Sequence, residues 1–339
     1  MFKSIMENGV DRKSALNILE DFIDTKLHNY ESKRNYDYGP SAHENVSLLS
    51  PYIRHRIITE EEVIAKAMNK FPLPKIEKYI QEVFWRTYWK GWLELRPKVW
   101  TDYQELVKKN DINQEYKRII SLNTGIDCFD SWTQELLETN YLHNHARMWF
   151  ASIWIHTLKL PWSLGADLFL NNLLDGDPAS NTLSWRWVAG IQTRGKSYLA
   201  KDWNIQKFTK NRFEPKETDF SAIPAEIDYI DYKMNSIKFH EANEFDWGQS
   251  GLLVTSEDMH VLSSNRIDFP LQNAYILALT DTEKANYSKN VTIFKQAISR
   301  SNKELLSSHI QNIEMQSMNL DQIEQITSWA QQKNIKNII

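Results

Sequence analysis

The sequence contains a single cysteine, Cys128, in 339 residues. No disulfide within the chain and no all-cysteine metal site can be built from it. Glycine and proline are scarce, at 10 each, which favours long helices over tight turns. No apolar run approaches the length of a membrane span. The opening residues, Met1 to Ser14, carry charge and lack the continuous apolar stretch of a secretory signal. The sequence shows no internal repeat. Hydrophobic residues make up 42 % of the chain and charged residues 25 %. These values are close to globular averages and exclude collagen-like and wholly disordered classes. The expectation is a soluble cytoplasmic protein, without membrane association and without a metal.

Tryptophan is abundant, with 13 residues, and unevenly placed. Eleven lie in residues 1–213, and only Trp247 and Trp329 follow. Charge divides at the same place. Residues 1–213 carry 29 Lys+Arg against 26 Asp+Glu, net +3, and the remainder 11 against 18, net −7. The split predicts a helical domain over 1–213, a polar linker over 214–246 and a second domain over 247–339. In the first, apolar residues recur at helical spacing from Ala15 to Leu27. Thr59 before three glutamates reads as a helix cap, and Leu73-Pro74 as a helix start. Asp130–Leu142, Ala146–Leu158 and Leu164–Leu174 read as further helices, the last closed by the turn Asp175-Gly176-Asp177-Pro178. In the second, Gly251–Thr255, Ala274–Thr280 and Ile335–Ile339 read as short strands. They alternate with helices at Asn290–Ser307 and Leu320–Lys333, the grammar of a small parallel α/β unit.

Gly190 to Ser197 matches the phosphate-loop pattern G-x-x-x-x-G-K-[ST]. That loop works only between a strand and a helix, where its backbone N–H groups wrap phosphates. Here it follows Trp185-Arg186-Trp187-Val188 in a helical region, so a nucleotidase is the weaker reading. His143 and His145 stand at i and i+2, which on a helix point to different sides, and no third metal ligand accompanies them. Glu82, Trp85, Arg86 and Trp89 share one helix face. Asn144, Arg147 and Met148 share another. Each alone reads as a core stripe or a buried polar cap.

Taken together, these pieces resemble the photolyase/cryptochrome family in its helical flavin domain. The resemblance runs from about Leu16 to Trp187. Its blocks are Tyr30-x-x-x-Arg34, Ser47-Leu48-Leu49-Ser50-Pro51-Tyr52 and Glu82-x-x-Trp85-Arg86, then Thr124-Gly125-x-x-x-x-Asp130 and His143-Asn144-x-x-Arg147-Met148. The last is Asp175-Gly176-Asp177-x-x-x-Asn181-x-x-x-Trp185-x-Trp187. The resemblance implies a mainly α fold, an all-helical FAD-binding domain followed by a small, incomplete, Rossmann-like α/β domain. It implies FAD held by Tyr30, Ser47, Leu49, Ser50, Arg86, Arg147, Asp175, Asp177 and Asn181, with Arg147 paired to Asp175 and Asn181 facing flavin N5.

The activity implied is that of a deoxyribodipyrimidine photolyase, a lyase that repairs cyclobutane pyrimidine dimers in UV-damaged DNA. Excited reduced FAD donates the electron that splits the dimer. Substrate contacts would come from Arg34, Glu82, Trp85, Asn144, Met148 and Trp187, with Glu82 and Asn144 acting in catalysis. Trp185 and Trp162 match the first two members of the family's photoreduction chain. The third position falls on Ile119, which cannot carry a hole. His145 stands where dimer photolyases carry arginine, which removes a phosphate contact. The family places an α/β antenna domain before the flavin domain, whereas here an antenna-like unit follows it. The alternative is a cryptochrome-like blue-light receptor that signals through the redox state of FAD. A monomer is expected in either case.

Overall fold

Helix α1 (Phe2–Asn8) stops at Gly9, whose φ of 105° suits glycine. Asp11 caps α2 (Arg12–Thr25) by accepting the Ser14 N–H at 2.8 Å. A 3-10 turn over Leu27–Asn29 leads into α3 (Tyr30–Lys33), and α4 (Ser50–Arg54) follows. Thr59 and Glu62 form a reciprocal capping box on α5 (Glu60–Lys70). Pro74 lies in the first turn of α6 (Leu73–Glu94), the longest helix described. Then come α7 (Lys98–Lys109), α8 (Gln114–Ile120), α9 (Asp127–Thr139) and α10 (Asn144–Ser152). A π turn over Ile153–Thr157 continues α10 before α11 (Trp162–Asn172), α12 (Pro178–Val188) and α13 (Asp202–Phe208). These assignments come from a computed structural model. It describes residues 1–40, 42–110, 114–236, 250–255, 258, 275–280, 286–307, 313–317 and 323–338.

After α13 the chain forms a parallel sheet with helices between its strands. The elements are β1 (Ser250–Thr255), β2 (Tyr275–Thr280), α14 (Lys289–Ser307), β3 (Ile313–Ser317), α15 (Ile323–Gln332) and β4 (Asn337–Ile338). The strand order is β3-β2-β1-β4, with Leu252 beside Ile276 and Ile276 beside Ile313. The fold is mainly α with a small α/β region, as the sequence indicates. A further strand, β3, lies between the two helices read from the sequence. Parts of other expected segments (237–246, Trp247, Ala274, 320–322 and Ile339) fall outside the described residues.

Among the described residues, two large hydrophobic cores hold the helices up to α14. One gathers Trp132, Trp149, Trp154, Phe150 and Phe129, all fully buried, around α9 to α12. The other joins α1, α2, α5 and α6 through Leu19, Phe22, Tyr52 and Ile58. Val291, Phe294 and Ile298 of α14 belong to this second core, so the α/β region is packed into the N-terminal helices. The polar stretch from Glu214 lies along the helical domain as a pinned strap. Ala225 N–H donates to His156 Nδ1 at 3.0 Å, the Tyr232 hydroxyl to Asp102 at 2.9 Å, and Asn235 N–H to the Leu95 carbonyl at 2.8 Å. Trp185 and Trp187 are helical, and Gly190–Ser197 turns back after that helix. A phosphate loop needs a strand there, so the nucleotidase reading falls.

Candidate functional site

The chain gathers its buried charges where α4, α5 and α6 meet the turn before α12. The capping box of α5 sets Glu60 in the first helical turn, where it pairs with Arg56 at 3.2 Å and with Arg86. A second Arg86 nitrogen donates to the Arg54 carbonyl at 3.1 Å. Arg54 Nε donates to the Gly176 carbonyl at 2.9 Å and lies 3.6 Å from Asp177. Arg86 approaches the same carboxylate to 3.9 Å. Asp177, 4 % exposed, thus lies between two guanidinium groups. Its other oxygen caps α12 by accepting the Ser180 N–H at 2.8 Å.

The expected Arg147–Asp175 pair forms at 2.9 Å. Arg147 also donates to the Leu142 carbonyl at 2.8 Å and lies over the Tyr141 ring at 5.3 Å. Burial opposes its charge most strongly, but Asp175 and Tyr141 together outweigh it and hold the guanidinium above its ordinary pKa.

Arg86 Nε, Asp175 Oδ1, Asp177 Oδ2 and His143 Nε2 are buried without a hydrogen-bond partner. The His143 donor follows from its cap. Nδ1 accepts the His145 N–H at 3.2 Å, so the proton of the neutral ring is assigned to Nε2. Burial pushes this His pKa down to about 3, so the ring stays neutral at pH 7. Two donors and the Asp175 oxygen are thereby left unmatched, while Asp177 Oδ2 has only its long ion pairs to Arg54 and Arg86. Each unmatched buried group costs about 1–3 kcal/mol unless something pairs with it. Such a donor set fits a large polar ligand.

Two further surfaces adjoin this cluster. Leu48 is left-handed, at φ 56°, and Leu49, whose N–H donates to Ser47 Oγ at 3.5 Å, is right-handed. Ser47 is half-buried and Ser50 exposed beside it. On the open side of α6, Arg34 pairs with Glu82, and Tyr30 lies edge-on to Tyr79 with centroids 5.1 Å apart. Burial first, and then Glu82, raise the Tyr30 pKa, so its hydroxyl stays protonated. Trp85 is 47 % exposed, Asn144 is exposed at the start of α10, and Met148 is half-buried. Trp187 is half-buried against Tyr198, at 5.7 Å. Asn181 is buried and donates to the Ala166 carbonyl at 2.7 Å.

Comparison with known proteins places this arrangement. Residues 79–218 match the family model for the FAD binding domain of DNA photolyase. A deoxyribodipyrimidine photo-lyase from Agrobacterium fabrum is 32 % identical over 183 residues, covering 52 % of this chain and 37 % of the relative. One from Streptomyces griseus is 33 % identical over 155 residues, covering 45 % and 34 %. The crystal structure of a class III photolyase from Agrobacterium tumefaciens superposes with a TM-score of 0.51 at 28 % identity, over 59 % of this chain and 43 % of that one. A Synechocystis cryptochrome shares the fold, with a TM-score of 0.52 at 21 % identity, over 60 % and 45 %. Across residues 79–218 the helical region is a photolyase-type FAD-binding domain. The chain spans well under half the length of the two curated relatives described.

The photolyase-type FAD domain clarifies the unmatched atoms. Among the buried side-chain atoms without a hydrogen-bond partner are those of three residues that the resemblance assigns to the flavin: Arg86, Asp175 and Asp177. The residues present therefore fit FAD. Arg86 gives one N–H of each terminal nitrogen to Glu60 and the Arg54 carbonyl, and its Nε–H is buried without a partner. Sequence reasoning missed Arg54 and Glu60, which hold Arg86 and Asp177 in place. Their signal was present, because Arg54 lies just after the Ser47–Tyr52 block and Glu60 was read only as a helix-start acid. It also missed Gly165, where a Cβ would overlap the Trp185 indole and crowd Trp154 at 2.9 Å.

The photolyase-type tryptophans fall into two files. Trp185, 2 % exposed, meets Trp154 at 6.1 Å, and Trp154 meets half-buried Tyr116 at 5.9 Å. Trp162 instead meets Tyr103 at 5.7 Å, and Tyr103 meets half-buried Trp100 at 5.1 Å. Ile119 is fully buried. His145 stacks on Trp149 at 4.1 Å and bonds the Asn35 carbonyl through Nδ1 at 2.9 Å. It therefore faces inward.

Proposed function

We propose that this protein repairs cyclobutane pyrimidine dimers in UV-damaged DNA by light-driven electron transfer. One observation carries the reading. Glu82, the exposed faces of Trp85 and Asn144 and the half-buried Met148 and Trp187 all lie on α6, α10 and α12, and Arg34, at the end of α3, pairs with Glu82. These elements also carry Arg86, Arg147 and Asn181, and the turn before α12 adds Asp175 and Asp177. FAD, when bound, supplies blue-light absorption and, in its reduced form, an electron for the lesion.

The chain's own residues do the rest. Tyr30, Ser47, Leu49, Ser50 and Arg86 address the phosphate and ribityl side, where one guanidinium favours anions. Arg147 and Asp175 pair beside the ring system, Asp177 presents the oxygen that Arg54 and Arg86 flank, and Asn181 offers an uncharged amide near N5. A carboxylate in place of Asn181 would repel negative charge there. Trp85 and Trp187 stack on the extruded pyrimidines, which must leave the duplex to reach the site. Glu82, oriented by Arg34, accepts from their Watson–Crick edges, and Asn144 and Met148 line the pocket. The half-buried rings of Tyr116 and Trp100, at the ends of the two files, take the place that Ile119 cannot fill as outer oxidisable groups. The protein is read as a monomer of the cytoplasm.

The deciding experiment illuminates the reduced holoprotein with a defined thymine dimer in single and double strands and measures dimer loss. Dimers that survive in both would overturn the reading. Photoreduction that persists without repair would favour the blue-light receptor.

A further inference from the structure

The open face of α6 carries more aromatic surface than a lesion pocket needs. Phe84, Trp85 and Tyr88 are 51, 47 and 53 % exposed, and Trp89 and Trp92 are half-buried. Positions 85, 88, 89 and 92 fall on one helix face. Trp85 and Trp89 lie nearly parallel, with centroids 5.4 Å apart at 25°. Tyr88 stands edge-on to Trp85 at 5.4 Å and tilted against Trp89 at 5.0 Å. The Arg96 guanidinium covers Trp92 at 4.4 Å. From Trp85 to Trp92 the track is about 10 Å long. The opposite face of α6 already packs the core through Ile76, Tyr79, Ile80 and Val83, so this stripe is not displaced core. A contiguous exposed apolar patch of this kind marks an interaction surface.

Shape and charge select the occupant. The rings are flat and mutually stacked, with a guanidinium at each end of the stripe: Arg34, bonded to Glu82, and Arg96. The helical half of the chain is net positive. Flat π surfaces strung along an anionic backbone match this arrangement. A duplex keeps its bases stacked on one another and presents only their edges and the phosphates. We infer that the α6 track from Trp85 to Trp92 is a stacking platform for unpaired nucleobases flanking the lesion, which gives the protein a preference for single-stranded DNA. The inference rests on the DNA-facing reading of α6, because Trp85 belongs to both sites, but not on repair chemistry.

The test uses the full-length holoprotein in the dark, with undamaged oligothymidylate and a duplex of equal length. Binding is read by anisotropy and by quenching of tryptophan emission. Tyr88→Ala and Trp89→Ala should each weaken single-strand binding about five- to tenfold, the lower end of what one stacked base contributes. Tyr88→Phe should bind as the parent does, and duplex affinity should be unchanged in all three. The inference is overturned if both alanine variants bind the single strand as the parent does, or if duplex binding falls equally. It is also overturned if the variants change the mass of the protein in solution while leaving oligonucleotide binding intact, which would make the stripe a protein interface. A parent that repairs dimers in duplex DNA but is insensitive at Tyr88 loses the platform alone. A parent that needs Tyr88 for oligothymidylate but repairs no dimer keeps the platform and loses the repair reading.

Discussion

Removal of the Asp175 carboxylate tests the cofactor site most directly. Its side chain is 6 % exposed and pairs at 2.9 Å with Arg147, whose side chain is 24 % exposed. Breaking a fully buried pair by deleting one partner costs about 3–5 kcal/mol, because the other charge is left uncompensated. Arg147 retains the Leu142 carbonyl and the Tyr141 ring and reaches some solvent, so the cost here is about 2–3 kcal/mol. For a domain of this size each kcal/mol lowers Tm by roughly 2–4 °C. Asp175→Ala should therefore melt roughly 5–10 °C lower. It also loses the unpaired Oδ1, one of the atoms that fit the flavin. The variant should purify largely colourless, and added FAD should raise its melting temperature less than the parent's. Asp175→Asn keeps the shape and one acceptor and should fall between. The assays are visible absorbance after gel filtration and thermal melts with and without FAD. A parent-like flavin content and Tm in Asp175→Ala would refute the pairing argument.

Trp185→Phe should nearly abolish photoreduction by an added thiol while sparing dimer repair by chemically reduced protein. Parent-rate photoreduction in that variant would remove Trp185 from the route. Trp154→Phe and Tyr103→Phe then separate the two aromatic files, since only the file in use should slow. Binding to damaged duplex should weaken with salt at a slope near 0.9 per phosphate neutralised, and a shallow slope is expected because His145 faces inward. Salt-insensitive binding would count against a DNA-facing surface. Trp187→Ala should weaken lesion binding by about 1–3 kcal/mol, whereas Glu82→Ala should lower repair yield more than affinity. Repair of (6-4) photoproducts should be absent, because neither position 144 nor 148 is histidine to supply a proton. Acid should destabilise the fold. His143 is held neutral at a pKa near 3 against an ordinary 6.5, and burial lowers His145 and His156 too. As pH falls the unfolded chain takes up the proton first. Stability is therefore full above pH 6.5, and by pH 5 it has fallen by about 2 kcal/mol at His143 alone. A Tm that is flat from pH 8 to pH 5 would contradict this.

The helical half was legible because its motifs are local. Asp175 and Asp177 straddle one turn, Glu82 to Arg86 is one helical turn, and Arg147 found Asp175 as the resemblance implied. Contacts between distant segments were not legible. Nothing near Thr59 announces that Glu60 will be buried against Arg86. No periodicity shows that Gly165 must lack a Cβ for Trp185 to lie where it does. The segment from Glu214 carries no apolar pattern because single side chains pin it, such as Tyr232 on Asp102, and not a continuous face. The α/β alternation was readable from its apolar runs. The seating of α14 was not, because Val291, Phe294 and Ile298 form an ordinary amphipathic stripe that does not name the surface it covers.

That seating bears on how the chain is made. Val291, Phe294 and Ile298 close a core whose first members, Ile5 and Val10, leave the ribosome nearly the whole length of the chain earlier. At about 5–20 residues per second, the N-terminal helices wait roughly 15–60 s for the helix that completes them. Through that interval α5 and α6 already pack against α2, but the part of this core that α14 covers is open to solvent and to neighbouring chains. A synthesis interrupted before α14 would release a protein with every flavin and lesion residue present and its oldest core unsealed.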